Sequence, residues 1–390
     1  MFDQNKNINI IIAGILTLTI AVGIARFSFT SLLPAMLEDS LPLTTAGILA
    51  SINYVGYLSG SIFAMFIKDF HIKVICFRLG MIAAVATTIT MGITDNYEIW
   101  LLARIIAGFG SAMGLVVGSA IVMSKLDFKD KTKAMGIHFS GIAFAIVISD
   151  LIVRVAMIWL NWQGAWIVLS IAGAIIALYP LIILDFSKEV KAHHKKILLT
   201  EPVFSPFVLV LIVAYFTAGI GYVVQGTFLP DIINSLKGLE GLGALAWVLA
   251  GLMGIPSSII WMRLAAKYES VPVIIVAMLL QVISILIPTF STNPMLNIIA
   301  ALFYGGTFVG LVALFLNLGG KLAKSNPVIL MGALTTAYGI GQVLGPLYAS
   351  YLTQWNGNYT LSLYVTAIIV FSGSMLLLIV HRLKKIPLYM

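Results

Sequence analysis

Three residues in this chain sit where an apolar sequence should not hold them. Arg26, Arg104 and Asp150 each lie inside a long hydrophobic run. A charged side chain in hydrocarbon is costly, and is retained where it binds, couples or pairs. At about 1.5 Å of rise per helical residue, Arg26 and Asp150 lie roughly 25 Å from the inner ends of their runs. By the same rise Arg104 lies roughly 10 Å below the outer end of its own. All three fall at one depth, in the outer third of a bilayer, so a shared cluster is expected. Two arginines and one carboxylate leave a net positive charge. Guanidinium groups grip carboxylates with two parallel hydrogen bonds. The chemistry expected is therefore recognition of an anionic, carboxylate-bearing solute by Arg26 and Arg104. The competing reading is that Asp150 pairs an arginine, or Arg154 one turn away, and that the group only ties helices together. For Arg104 a structural or coupling role fits equally well.

Asp150 and His138 are the proton carriers within the runs, and histidine titrates near neutral pH. His138 lies only about one turn from the inner end of its helix, where a solvated interface histidine is the simpler reading. The second half of the chain offers hydrogen bonds and aromatic surface instead of charge. Tyr222, Gln225, Tyr338 and Gln342 are expected to contact substrate. Gln281 and Asn317 read as interhelical links. Tyr304 is a further polar aromatic residue.

The elements that must position these residues are membrane helices. Of 390 residues, 60% are hydrophobic and 10% charged, against about 25% charged in a soluble domain. The mean hydropathy of +1.05 agrees. A bilayer core of about 30 Å needs roughly 20 apolar helical residues. Twelve runs meet this: 9–34, 43–67, 72–93, 97–123, 133–155, 161–185, 203–229, 243–264, 271–290, 294–319, 327–352 and 358–381. The first run is expected to remain as an uncleaved helix, since no small-residue cleavage site follows it. Eighteen Lys and Arg residues fall in alternate loops, from Lys6, through Lys188, Lys191, Lys195 and Lys196, to Lys385; only Arg154 and Lys237 fall in the others. Basic loops stay in the cytoplasm. Both termini and the basic stretch Ser187–Glu201 are thus expected inside, and the charge of +8 reflects topology rather than nucleic-acid binding.

The halves repeat. A shift of 196 lays Gly23-Ile24 on Gly219-Ile220, Leu33-Pro34 on Leu229-Pro230, Gly114-Leu115-Val116 on Gly310-Leu311-Val312, and Met135-Gly136 on Met331-Gly332. It also lays Arg26 on Tyr222. Six helices per half make the repeat parallel, with its axis along the membrane normal. The expected architecture is an all-α integral membrane protein of two pseudo-symmetric six-helix bundles. The first covers 1–186, a cytoplasmic linker 187–202 and the second 203–390. Pro34 and Pro230 read as helix ends.

Further motifs carry a family resemblance. Arg104-Ile105-Ile106-Ala107-Gly108-Phe109-Gly110 fits R-x-x-x-G-x-G. Gly339-Ile340-Gly341-Gln342-Val343-Leu344-Gly345-Pro346 is a glycine-proline motif. With Gly23-Ile24-Ala25-Arg26-Phe27 and Asn53-Tyr54-Val55-Gly56-Tyr57-Leu58, the chain resembles the major facilitator superfamily over its whole length, and its YbfB/YjiJ-like branch in particular. The resemblance implies alternating access, coupling to protons, and gating at Gly108, Gly110, Gly341, Gly345 and Pro346, with Asp69 as the loop carboxylate of the inner gate. The loop Ile67-Lys68-Asp69-Phe70-His71-Ile72-Lys73 departs from the superfamily's G-x-x-x-D-R-x-G-R-R by lacking its glycines and arginines. The fifth run lacks the G-P pair common in proton-driven exporters, which weighs against drug export.

No phosphate-binding loop, H-E-x-x-H or G-x-S-x-G stretch is present, so an ATP-driven pump and an enzyme are not indicated. No cofactor or metal is called for; the one cysteine, Cys76, forms no internal disulfide, and His193-His194 read as solvated. The expected protein is a monomeric secondary transporter in the cytoplasmic membrane. Its partners are a small organic anion, protons and the bilayer, with a citrate-type siderophore as one specific substrate. The rivals are a proton-antiport exporter and a membrane sensor or assembly protein without transport.

Overall fold

A computed structural model of the chain describes residues 2–39, 41–126, 131–185, 205–322 and 327–385. The loop 187–202 and His193-His194 lie outside the described residues. Twelve helical rods account for nearly all of the rest, and no strand occurs among the described residues. They are α1 (2–39), α2 (Leu43–Phe66), α3 (Phe70–Ile93), α4 (97–125), α5 (Lys131–Met157) and α6 (Trp162–Ile183). Then come α7 (Pro206–Asn234), α8 (Leu242–Tyr268), α9 (Ser270–Phe290), α10 (Pro294–Leu322), α11 (Pro327–Asn356) and α12 (Thr360–Lys385). Eleven are long and apolar enough to cross a bilayer among the described residues. The remaining rod, α11, is 30 residues long. The chain is a multi-pass membrane protein.

Short capped breaks separate the rods. Asn96 accepts from the backbone N–H of Glu98 and Ile99, and Asn161 from that of Gly164. Both satisfy donors that a helix start leaves open. Asp69 does the same for α3, accepting from Ile72 N–H at 2.9 Å. The carboxylate expected at a gate thus has a local task as an exposed helix cap. Between α8 and α9 one residue turns the chain: Glu269 has φ 69° and ψ 151°. That conformation is essentially glycine's and costs other residues about 1–3 kcal/mol. Glu269→Gly is expected to raise stability by about 1 kcal/mol in denaturant titration.

The packing divides the chain into two compact units, residues 1–192 and 193–390. In the first, glycines bring backbones into contact. A Cβ on Gly108 would overlap the Asn53 carbonyl, and one on Gly56 the Ile105 carbonyl, at the α2–α4 crossing. Gly110 meets Gly80 O of α3, and Gly23 of α1 meets Ala145 O of α5 at 2.7 Å from its would-be Cβ. The second unit repeats these devices. Gly305 abuts Ala250 O between α10 and α8, and Gly219 abuts Tyr338 O between α7 and α11 at 2.5 Å. Gly341 and Gly345 press α11 onto Phe216 and Val223 of α7. Each unit also ties the far end of its first rod to the start of its sixth. Trp162 Nε1 donates to Asp39 at 2.8 Å, and Tyr359 Oη to Asp231 at 2.5 Å.

Two expectations need correction. Pro34 and Pro230 do not end their helices; each lies inside one that runs on to Asp39 or Asn234. Proline removes one hydrogen bond, yet the turns after it keep theirs. The helical form also differs between the units. In α1 the segment Thr19–Phe27 is π-helical, and in α4 so is Met113–Gly118. Their counterparts α7 and α10 are α-helical throughout. Such turns are rare and concentrate at functional sites.

Candidate functional site

Arg26 lies inside the π segment of α1 and is 6% exposed. The wider turn places it against α2, where two rings flank it. Its guanidinium carbon is 4.2 Å from the centre of Tyr57 and 4.8 Å from that of Tyr54. A cation against the negative faces of aromatic rings is stabilised electrostatically. In the sequence Tyr54 and Tyr57 show only as part of a motif; their role beside Arg26 comes from the α1–α2 packing.

Arg104 is placed differently. Its Nε donates to Leu49 O at 3.2 Å and its Nη1 to Ala25 O at 3.1 Å. Its guanidinium carbon lies 4.7 Å from the centre of the Phe29 ring. Asn53 completes the junction, donating to Arg104 O at 3.0 Å and sharing Ala25 O at 3.5 Å. Arg104 therefore clamps α1, α2 and α4 together at the residue before Arg26. A π turn disturbs the regular hydrogen-bond ladder, and here the arginine and the asparagine supply donors to the carbonyl of Ala25. Arg104 thus reaches the carbonyl of the residue next to Arg26. Arg104 works chiefly as the support.

Asp150 of α5 is fully buried and accepts from Arg154 Nε, one turn along the same helix. Ser31 of α1 lies beside it. Its other oxygen, Oδ1, has no hydrogen-bond partner. The main partner of Asp150 is thus Arg154, the second of the two pairings foreseen from the sequence. His138 is not a solvated interface residue. It has no exposed surface, because Gly14 of α1 lets α5 approach until Nδ1 sits 2.5 Å from where a Cβ would be. Its Nε2 meets Ser119 Oγ of α4 at 2.8 Å, and Nδ1 has no partner. One membrane arginine carries none of the sequence expectations: Arg78 of α3, whose Nη2 donates to Leu181 O of α6 at 3.2 Å. Nearby, Lys125 pairs with Asp185 at 3.1 Å.

In the second unit Tyr222 and Tyr338 stack on each other, with centroids 5.8 Å apart. Gln225 donates to Ser284 Oγ at 2.8 Å, which donates on to Ala300 O at 2.8 Å. That chain links α7, α9 and α10. Gln342 is 3% exposed with its Oε1 unpartnered. Gln281, expected to link helices by hydrogen bonds, is wholly buried, and neither amide atom has a partner among the described residues. Gly108, Gly110 and Gly341 mark close backbone approaches, Gly345 makes room for the Val223 side chain, and Pro346 sits within the unbroken α11. No group of three or more His, Cys, Asp or Glu residues able to hold a metal occurs among the described residues.

Two repeated six-helix units, almost wholly apolar outside a few buried charges, define a membrane transporter of the major facilitator type. The family model described as "Uncharacterised MFS-type transporter YbfB" matches residues 18–378, and the chain belongs to that family. Among curated proteins, 162 residues are 27% identical to a protein of Cupriavidus pinatubonensis (strain JMP 134 / LMG 1197) named "Probable 4-methylmuconolactone transporter". That match spans 41% of this chain and 38% of the relative. Solved structures share the fold. The nucleoside transporter NupG (D323A mutant) aligns with TM-score 0.76 and 12% identity, over 96% of this chain and 99% of that one. A bacterial homolog of the human lysosomal transporter Spinster, inward-facing and unoccupied, aligns with TM-score 0.69 and 16% identity, over 97% and 98%. The family and these neighbours are transporters, not enzymes.

Proposed function

We propose that the chain takes up a small carboxylate-bearing organic anion across the cytoplasmic membrane, by alternating access and coupled to protons, with both termini in the cytoplasm. The observation that carries this reading is Arg26: a buried guanidinium, flanked by Tyr54 and Tyr57 and set in a π turn. A guanidinium held against aromatic faces is a site that a carboxylate can engage through paired N–H donors. The name of the curated relative, with its organic solute, points in the same direction. Arg104 supports Arg26 through Ala25. Within the second unit, Tyr222, Tyr338 and Gln342 are the residues assigned to substrate contact, and Gln225 orders its neighbours. Asp150 carries the coupling proton on a carboxylate that already has one unpartnered oxygen. His138 is a second carrier, Asp69 serves the inner gate from its place at the start of α3, and α11 bends at Gly345-Pro346. This substrate class includes citrate-type siderophores. The working form is taken to be a monomer.

Proteoliposomes test this with benzoate, succinate and citrate as anionic probes and ethidium as a cationic one. Saturable uptake of a carboxylate, driven by an inside-alkaline pH gradient, is expected. Ethidium flux with no carboxylate flux would favour a cation exporter and remove the anion reading. Asp150→Asn is expected to abolish the response to the pH gradient while leaving carboxylate counterflow, which needs no net proton movement, within about twofold of the unaltered protein. Equal gradient-driven uptake by Asp150→Asn would take Asp150 out of coupling.

A further inference from the structure

The second unit contains aromatic rings in an unusual arrangement. Trp247 of α8, Tyr304 and Phe308 of α10, Tyr222 and Tyr215 of α7, and Tyr338 of α11 connect neighbour to neighbour. Their centroids are 4.4 to 6.4 Å apart. In every one of these pairs the planes lie within 24° of parallel. Phe315 of α10 extends the run, stacking on Tyr215 at 4.5 Å and 20°; other pairs among the described residues are more crossed, Phe63–Phe109 at 43°, Phe228–Tyr359 at 46° and Trp100–Trp162 at 75°. Offset-stacked and edge-to-face pairs are both favourable. A core filled only for burial mixes them, as the rest of this protein does. Burial alone does not account for a run of rings from four helices in which each ring lies nearly parallel to its neighbour.

The run is also held in place. Tyr304 donates to Tyr222 O at 3.3 Å, and Gly226 makes room for it: a Cβ there would come within 2.7 Å of the Tyr304 hydroxyl. All the rings are buried; Trp247, Tyr304 and Phe315 are at 0% exposure and Tyr215 at 1%, while Tyr222 at 5% and Tyr338 at 8% are the least covered. Tyr222 is also the residue that takes the place of Arg26 in the repeat.

We infer that this ladder is a shape filter for solutes carrying a flat, unsaturated ring, with Tyr222 and Tyr338 as the residues that contact the ring. The inference rests on the uptake reading above and names the substrate class within it: planar unsaturated ring carboxylates. A flat π face lies flush on a tyrosine ring. A puckered saturated ring of the same size and charge is held off by its axial hydrogens.

The experiment compares uptake of benzoate, cyclohexanecarboxylate and the neutral benzamide by the full chain in proteoliposomes. Benzoate is expected to exceed cyclohexanecarboxylate about tenfold in kcat/KM, the upper range for one aromatic stacking contact. Tyr222→Leu and Tyr338→Leu are expected to bring that ratio close to one, and Tyr338→Phe to preserve it. If the leucine variants fail to fold, the ratio in the unaltered protein decides. Equal uptake of both carboxylates overturns the ring filter and leaves the anion reading standing. Uptake of benzamide with neither carboxylate keeps the filter and overturns the anion reading. Uptake of none of the three overturns both.

Discussion

Arg26→Gln will abolish carboxylate uptake while leaving the protein folded. The guanidinium sits between Tyr54 and Tyr57, so removing it costs two cation–π contacts and also removes the expense of a charge in hydrocarbon. Melting temperature in mild detergent should therefore stay level or rise. Losing a buried, charge-assisted partner for a carboxylate costs about 2–5 kcal/mol, or roughly 30-fold and upward in affinity for benzoate. Arg26→Lys should fall between, since an ammonium keeps the charge but loses the planar fork. Arg104→Gln should behave in the opposite manner. Its guanidinium donates to Leu49 O and Ala25 O, and each buried acceptor left unpaired costs about 1–3 kcal/mol. Its main loss should be stability. Wild-type uptake by Arg26→Gln would remove Arg26 from the binding site.

Gly108→Ala will be the most damaging single methyl in the first unit. The added carbon would overlap the Asn53 carbonyl, a backbone atom that cannot rotate away. α2 and α4 would have to separate, and with them Asn53 and Arg104, which meet at that crossing. Overpacking of this kind costs about 1–3 kcal/mol where side chains can adjust, and more where backbone must move. The measurement is the detergent-solubilised melting temperature together with benzoate uptake, and both should fall. Gly136→Ala is the control, because a Cβ there meets nothing within 4 Å. It should raise or maintain stability through its better helix propensity. Equal melting temperatures for the two variants would show that the crossing has slack that the structure does not.

The parts of this molecule that were legible in the sequence are those on which a bilayer imposes composition. Rod positions, the duplication and the cost of Arg26, Arg104 and Asp150 all follow from apolar run length and misplaced charge. Asp150 and Arg154 are four residues apart, so their pairing was open to view as one of two options. What escaped depends on which helices touch. The burial of His138 requires Gly14 and Ser119, residues 124 and 19 positions away, to converge on it. Tyr54 and Tyr57 gain their meaning from a crossing of α1 and α2. Pro34 and Pro230 looked like stops because proline usually is one near a helix end, whereas the surrounding turns carry the helix past them. Arg78 was overlooked for a related reason. It finds its acceptor, Leu181 O, in α6, more than a hundred residues on.

The π segment of α4 records a difference in length between the two halves. The contact of Gly108 with Asn53 recurs as that of Gly305 with Ala250, an interval of 197 residues for both partners. Six residues later Gly114-Leu115-Val116 recurs as Gly310-Leu311-Val312, an interval of 196. One half has gained a residue, or the other has lost one, between these landmarks. In an unbroken α-helix a single extra residue turns everything beyond it by about 100°. A π turn takes up that residue without passing the rotation on. Met113–Gly118 is such a turn, and α10 has none. Because the phase of α4 is restored after it, Ser119 still points at His138 and Lys125 still reaches Asp185.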